Sequence, residues 1–182
     1  MTFTAIATGE LGALADILFP CNSQRRSGGI MMKIRDHDGV EILTYHPKSG
    51  SDLDPIELPG ANLARADLEG KELSDANLEG ANLHEADLYW AILFRANLSD
   101  ADLSNAVLCG ADLKEANLRG TKLTGANLGL SNLGGSTQLQ GAYLRGAELT
   151  GAVFNGAEYD ERTQFPDGFR PDASGMIFIQ SA

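Results

Sequence analysis

The chain has 182 residues, 25 acidic and 14 basic side chains, a net charge of -11 and two cysteines. This length suits one elongated domain with small appendages, and the acidic excess disfavours direct binding to nucleic acid or to an anionic membrane, because it repels phosphate. Cys21 and Cys109 lack metal-ligand spacing, no segment approaches the length of a membrane span, and the N-terminus has no basic signal region. The sequence therefore predicts a cytoplasmic protein that binds no membrane.

Residues 1–50 contain a predicted helix and a predicted hairpin. Residues 9–19 have the pattern of a short amphipathic helix. Residues 30–35 and 40–45 flank Asp36-His37-Asp38-Gly39, in which Asp-Gly favours a tight turn. This turn carries carboxylates and an imidazole, but it lacks the further ligands of a calcium loop, so we expect no metal. We interpret residues 1–50 as a cap for the repeats that follow.

Residues 51–160 are a predicted repeat domain, in which a leucine occupies every fifth position from Leu58 to Leu133. Most of these leucines follow an alanine two residues earlier, with Asn or Asp between them. A period of five gives no apolar stripe on a helix and alternates between the two faces of a straight strand. The chain must therefore bend once per repeat, with frequent glycines accepting positive φ at the corners. Four bends place residue n+20 over residue n at about 4.8 Å, which predicts a solenoid filled with Ala and Leu.

The repeat changes towards its end. Leu133 and Leu139 are six residues apart, so one extra residue is expected to bulge a corner at residues 134–136. Residues 161–182 form a predicted capping tail whose apolar segment either folds over the coil end or pairs with a second copy. The candidates for this end cap or dimer contact are Phe154, Tyr159, Phe165, Phe169, Ile177 and Phe178.

The Ala-(Asn/Asp)-Leu-x-x unit over residues 53–159 resembles the pentapeptide-repeat family. The resemblance implies an all-β, right-handed quadrilateral β-helix with four five-residue repeats per coil, here about five coils. It also implies that the protein is not an enzyme, since most members are non-catalytic. A minority of the family protect DNA gyrase by mimicking duplex DNA.

The search for a chemical site in the sequence gives neither a catalytic group nor a cofactor site. His84 lies at an outward corner beside Glu85, which is typical of a solvated pair. The regularly spaced Asn and Asp side chains are expected to form stacked hydrogen-bonded ladders rather than acid–base pairs.

One outer face is a candidate protein-interaction surface. Unrolling the coil around Leu68, Leu88, Leu108, Leu128 and Leu149 gives a face without an outward Lys or Arg. An aromatic anchor with a carboxylate rim is common at protein interfaces, although residues 1–50 or the tail could instead cover this face within the monomer. The carboxylates are Asp67, Glu69, Asp87 and Glu148, and the apolar or aromatic side chains are Tyr89, Trp90, Val107, Cys109 and Leu130, with Ile92 and Phe94 around the next corner.

The sequence thus predicts a non-catalytic interaction scaffold or regulator whose partner is an unidentified protein. Dimerisation through a coil end is compatible with this function. The alternative is a DNA mimic that binds gyrase or another DNA-handling protein. Arg65, Lys122 and Arg145, which we expect on one face, argue against mimicry.

Overall fold

The computed structural model describes residues 32–36, 38–45 and 55–180. The predicted helix over 9–19, Cys21 and His37 lie outside the described residues. Within them the only helix is a short 3₁₀ helix, Asp172–Ser174. No described helix has the length and apolarity needed to cross a membrane.

The repeat region folds as a β-helix solenoid. Short parallel bridges link residues twenty apart in four columns, which begin at Glu57, Asn62, Asp67 and Glu72. Each coil therefore contains four five-residue repeats, one on each side. The leucines and alanines of the repeat point inward, and most of them are completely buried. This core runs the length of the coil because each layer buries the apolar side chains of its neighbours.

The corners require left-handed backbone. Glycines such as Gly60 and Gly70 have positive φ there, but eight non-glycine residues adopt φ between 56° and 59° at the same repeat position. Amide side chains support the layers, as expected from the sequence. Asn117 donates to Asn97 across 2.9 Å and Asn82 donates to Asn62 across 3.0 Å.

A β-hairpin packs on the first layer of the coil. Strand β1, Met32–Arg35, pairs antiparallel with strand β2, Glu41–Tyr45. Ile34 is completely buried in the coil core, and Asp36 forms an antiparallel bridge with Ala66. Asp36 also closes the turn, since its Oδ1 accepts from the amides of Asp38 and Val40 at 2.8 and 3.1 Å. The hairpin thereby covers apolar side chains at this end of the coil.

The predicted one-residue bulge after Leu133 is wrong. Every bridge that spans the segment joins residues 26 apart, for example Asp112 and Gln138, whereas the preceding bridges join residues 20 apart. Six residues, one whole repeat plus one, therefore leave the coil as loop 131–136. Leu133 is 80% exposed at the tip of this loop instead of stacking with the other leucines. Spacing between leucines could not reveal this, because Leu133 itself keeps the five-residue period.

The other end of the coil is closed by the tail. Strand β3, Glu158–Tyr159, pairs parallel with strand β4, Ile177–Phe178, so the tail adds one more strand. Phe154 is buried, and its ring meets that of Phe169 edge to face at 5.3 Å. The Phe165 ring stacks on Phe169 at 5.0 Å.

Candidate functional site

The candidate site is the outer surface of the coil column that begins at Asp67. We call it the tryptophan face and define it as the outward side chains of residues 67–70, 87–90, 107–110, 127–130 and 153–156. Parallel bridges join its layers, from Asp67 to Asp87 to Val107 to Asn127 to Val153. The face is therefore held by backbone pairing along its whole length.

Trp90 is the central side chain of this face. It occupies a corner with a φ of 56° and is 40% exposed. Its ring packs closely over two glycines: a Cβ added at Gly110 would lie 3.1 Å from Cδ2, and one added at Gly135 would lie 2.3 Å from Cη2. The indole therefore lies between the next layer and loop 131–136; a side chain at Gly135 would force the ring to move, and one at Gly110 would crowd it.

Loop 131–136 is fixed to the tryptophan face by polar contacts. The hydroxyl of Tyr89 donates to the side-chain oxygen of Asn132, and the Tyr89 and Trp90 rings meet edge to face at 6.3 Å. Ser131 closes the loop, because its Oγ accepts from the Gly135 amide at 2.8 Å. The loop accordingly holds the exposed Leu133 beside the coil.

The six-residue loop also changes which residues belong to the face. Glu148 and Leu149, predicted on it, lie elsewhere, since Glu148 pairs with Lys122 on another column. Val153, which is 46% exposed, occupies the position on this face that was predicted for Glu148. The later layers of the tryptophan face are thus more apolar than the sequence predicts. Arg145 is also not on the face predicted for it. Its carbonyl accepts from the Gly120 amide, so Arg145 lies on the column of Arg119 and not on that of Arg65 and Lys122.

The remaining candidate side chains differ in exposure. Val107 and Leu130 are exposed, as is Ile92 on the adjacent column, whereas Phe94 is half-buried. Cys109 is buried, and burial raises the pKa of its thiol. This cysteine therefore contributes to packing beneath the face and offers no reactive thiolate at its surface.

Asp67, Glu69 and Asp87 lie in the first two layers of the tryptophan face. Asp67 and Asp87 each accept from the amide two residues later, at 3.1 and 2.9 Å, which stabilises the turn. None of the three forms an ion pair with any described residue. No described cation therefore neutralises their negative charge.

Of the end-cap candidates, Phe154 is buried, while Tyr159, Phe165 and Phe169 are partly buried against the core. Ile177 and Phe178 are 46% and 51% exposed, although the Phe178 ring meets Tyr159 edge to face at 5.5 Å. Four of these residues therefore pack within the chain. Dimerisation through this end stays a prediction, which light scattering can test.

The described residues contain no cluster of three His, Cys, Asp or Glu side chains that could hold a metal ion. His84 Nε2 lies 3.3 Å from Glu85 Oε1, and both side chains are solvent-exposed. A polar groove near the coil end is lined in part by Lys114 and Arg162, but Lys114 pairs with Asp112 at 3.2 Å and Arg162 with Asp160 at 2.8 Å. These contacts neutralise the charges and support structure.

The family comparison agrees with the repeat geometry. Residues 57–93, 91–129 and 136–158 match the pentapeptide-repeat family model, with eight copies, over more than half of the chain. The chain belongs to the pentapeptide-repeat family. In this pentapeptide-repeat protein the match stops at residue 129 and resumes at 136, which is where the loop leaves the coil.

Solved structures of the same family include three similar cyanobacterial and plant proteins. The chain is 39% identical to HetL of Nostoc sp. strain PCC 7120, a pentapeptide repeat protein involved in heterocyst differentiation regulation, with a TM-score of 0.57. That match covers 59% of this chain and 45% of HetL, so the chain spans less than half of HetL's length.

Rfr23 of Cyanothece 51142 is 38% identical, with 67% of this chain and 71% of Rfr23 covered and a TM-score of 0.36. A thylakoid-lumen protein of Arabidopsis thaliana is 30% identical, with 66% and 72% covered and a TM-score of 0.42. No curated protein matches the chain.

Proposed function

We propose that this pentapeptide-repeat protein is a non-catalytic scaffold or regulator that binds another protein through the tryptophan face. The observation that carries this proposal is the set of exposed apolar side chains on a face without Lys or Arg: Trp90, Leu130 and Val153 on the tryptophan face and Leu133 on the adjoining loop. A partly exposed tryptophan that shares a face with exposed aliphatic side chains can lose water on contact with a partner, as interface anchors do.

The proposal also includes the finer features expected from the sequence. The coil is right-handed with about five turns, and the protein acts in the cytoplasm. Similarity to HetL, whose described role is regulatory, supports regulation as the purpose of the interaction. The rigid backbone pairing of the face lowers the ordering cost of binding, because the anchors are already in place.

A pull-down from lysate with matched variants tests the proposal. The bait variant Trp90→Ala/Leu133→Ser removes two exposed apolar side chains from the tryptophan face and its loop. The control Val40→Ser/Ile179→Ser removes two from the hairpin and the tail. We expect wild type and the control to retain a protein that the Trp90 variant loses. Equal retention by all three folded proteins, or retention of nothing, would contradict the proposal.

A further inference from the structure

The tryptophan face is polar at one end and apolar at the other. Its first two layers contain Asp67, Glu69 and Asp87, whereas Val107, Leu130 and Val153 occupy the later layers. The Trp90 ring leans towards those later layers, since it packs on Gly110 and Gly135. The charge therefore changes along the coil axis rather than across it.

Several carboxylates on two of the other three faces have cationic partners. Arg95 pairs with Asp75 at 2.9 Å, and Lys114 pairs with Asp112 at 3.2 Å. Both pairs lie on the column that begins at Glu72, and Arg65 lies 3.9 Å from Glu85 on the column that begins at Asn62. The three carboxylates of the tryptophan face form no such pair within the described part of the chain. Among the described residues, no cation would have to leave these three carboxylates before an outside cation could pair with them.

We propose that the tryptophan face binds a segment of a partner protein that is cationic at one end and apolar at the other. This inference rests on the proposed function and adds the chemistry and direction of the partner. The segment lies along the coil axis, with Lys or Arg over Asp67, Glu69 and Asp87. Its Leu, Ile or Phe side chains lie over Trp90 and the later layers.

The dimensions of the face set the length of the segment. Four steps between layers, at about 4.8 Å each, separate Asp67 from Val153 by about 19 Å. A helix covers that distance with about 13 residues, and an extended strand with about 6. A peptide of 16 residues is therefore long enough to contact both ends in either conformation.

A displayed library of random 16-residue peptides, panned on the full-length protein, tests this inference. Counter-selection against Trp90→Ala/Leu133→Ser removes peptides that bind elsewhere. We expect the surviving peptides to contain Lys or Arg near one end and large apolar residues near the other. Trp90 is the single tryptophan of the chain, so its fluorescence can report binding of synthetic tryptophan-free versions.

Charge neutralisation provides the quantitative readout. Asp67→Asn/Glu69→Gln/Asp87→Asn keeps the side-chain shapes and should weaken binding about tenfold at low salt, because three ion pairs with the partner are lost. The matched control, Glu72→Gln/Glu79→Gln/Glu148→Gln, removes one exposed carboxylate from each of the other faces and should change affinity less than twofold.

The outcomes separate this inference from the proposed function. Peptides that require Trp90 but are uncharged or acidic, or that bind the triple variant unchanged, would overturn the inference and leave the face as a binding surface. Failure to select any peptide dependent on Trp90 would count against the inference. If the lysate pull-down also shows no dependence on Trp90, the proposed function is contradicted as well.

Discussion

Asp160 is the buried carboxylate on which the hydrogen bonds of the coil end converge. It is 2% exposed, and its Oδ1 accepts from the Gly141 amide at 2.8 Å and from the Arg162 and Thr163 amides at 3.1 Å. Its Oδ2 accepts from Arg162 Nε at 2.8 Å. One side chain thus connects Gly141 of the coil to Arg162 and Thr163 at the start of the tail.

Replacing Asp160 with Ala should destabilise the protein more than any exposed substitution. Three backbone amides would lose their acceptor, and the expected loss is about 2–4 kcal/mol in the free energy of unfolding. Asp160→Asn keeps one oxygen acceptor and should cost less. Chemical denaturation of both variants provides the comparison. Equal stability of wild type and Asp160→Ala would show that the amides find water or other acceptors at no cost.

At the scale of the element, loop 131–136 interrupts a coil that remains in register on both sides. Leu130 is the last residue of one side of the coil before the loop. Thr137 is the first residue of the next side, and it occupies the inward position that alanine holds in most repeats. Thr137 Oγ1 donates to the Leu108 carbonyl at 2.8 Å and accepts from the Gly110 amide at 3.1 Å. These bonds fix the point at which the coil restarts, so the loop is an addition to the fold and not part of its core.

Deleting residues 131–136 should leave the coil intact. The deletion joins Leu130 to Thr137 and restores five-residue spacing between Leu128 and Leu139, so the melting temperature should stay within about 3 °C of wild type. The Trp90 emission should shift to the red, because the ring loses its contact with Gly135. Circular dichroism and fluorescence measure the two effects.

A deletion of equal length elsewhere provides the control. Removing residues 94–99 shifts the repeat by one position relative to its period and directs the following leucines away from the core, so this variant should not fold. If deleting 131–136 is as harmful as deleting 94–99, the coil depends on the loop and the register argument is wrong.

The inward and outward positions of most repeats were predictable, because the five-residue period allows one regular solution. The amide ladders followed from the same regularity. The fate of Leu133 was not predictable in this way, since Ser131-Asn132-Leu133 has the appearance of an ordinary repeat. Only the two glycines that follow indicate a departure, and they are equally compatible with a small bulge. That single ambiguity moved Glu148 and Arg145 to the wrong faces.

For the whole molecule, the distribution of cations matters more than the net charge of -11. Arg65 and Lys122 share one face, with the carboxylates of their neighbours close by. Arg119 lies on a second face and contacts the Tyr143 ring at 4.8 Å, and Arg95 lies on a third. Duplex DNA, in contrast, presents phosphate charge continuously, about one per 1.7 Å of axis.

We therefore expect no DNA mimicry. Supercoiling by DNA gyrase should be unaffected by micromolar protein, and the variant Asp67→Asn/Glu69→Gln/Asp87→Asn should behave as wild type does. A gel-based supercoiling assay measures this. Inhibition at concentrations near that of gyrase, relieved in the triple variant, would show that the acidic end of the tryptophan face imitates DNA after all.

The twenty-residue layer has a consequence for how such a protein can change over evolution. Duplication of one coil between Asp87 and Val107 would insert a complete layer without disturbing the bridges above or below it. The acidic and apolar ends would then be separated by about 5 Å more while each kept its local chemistry. Partner selection could thus be retuned in discrete steps of length, by gaining or losing whole layers, before any contact residue is substituted.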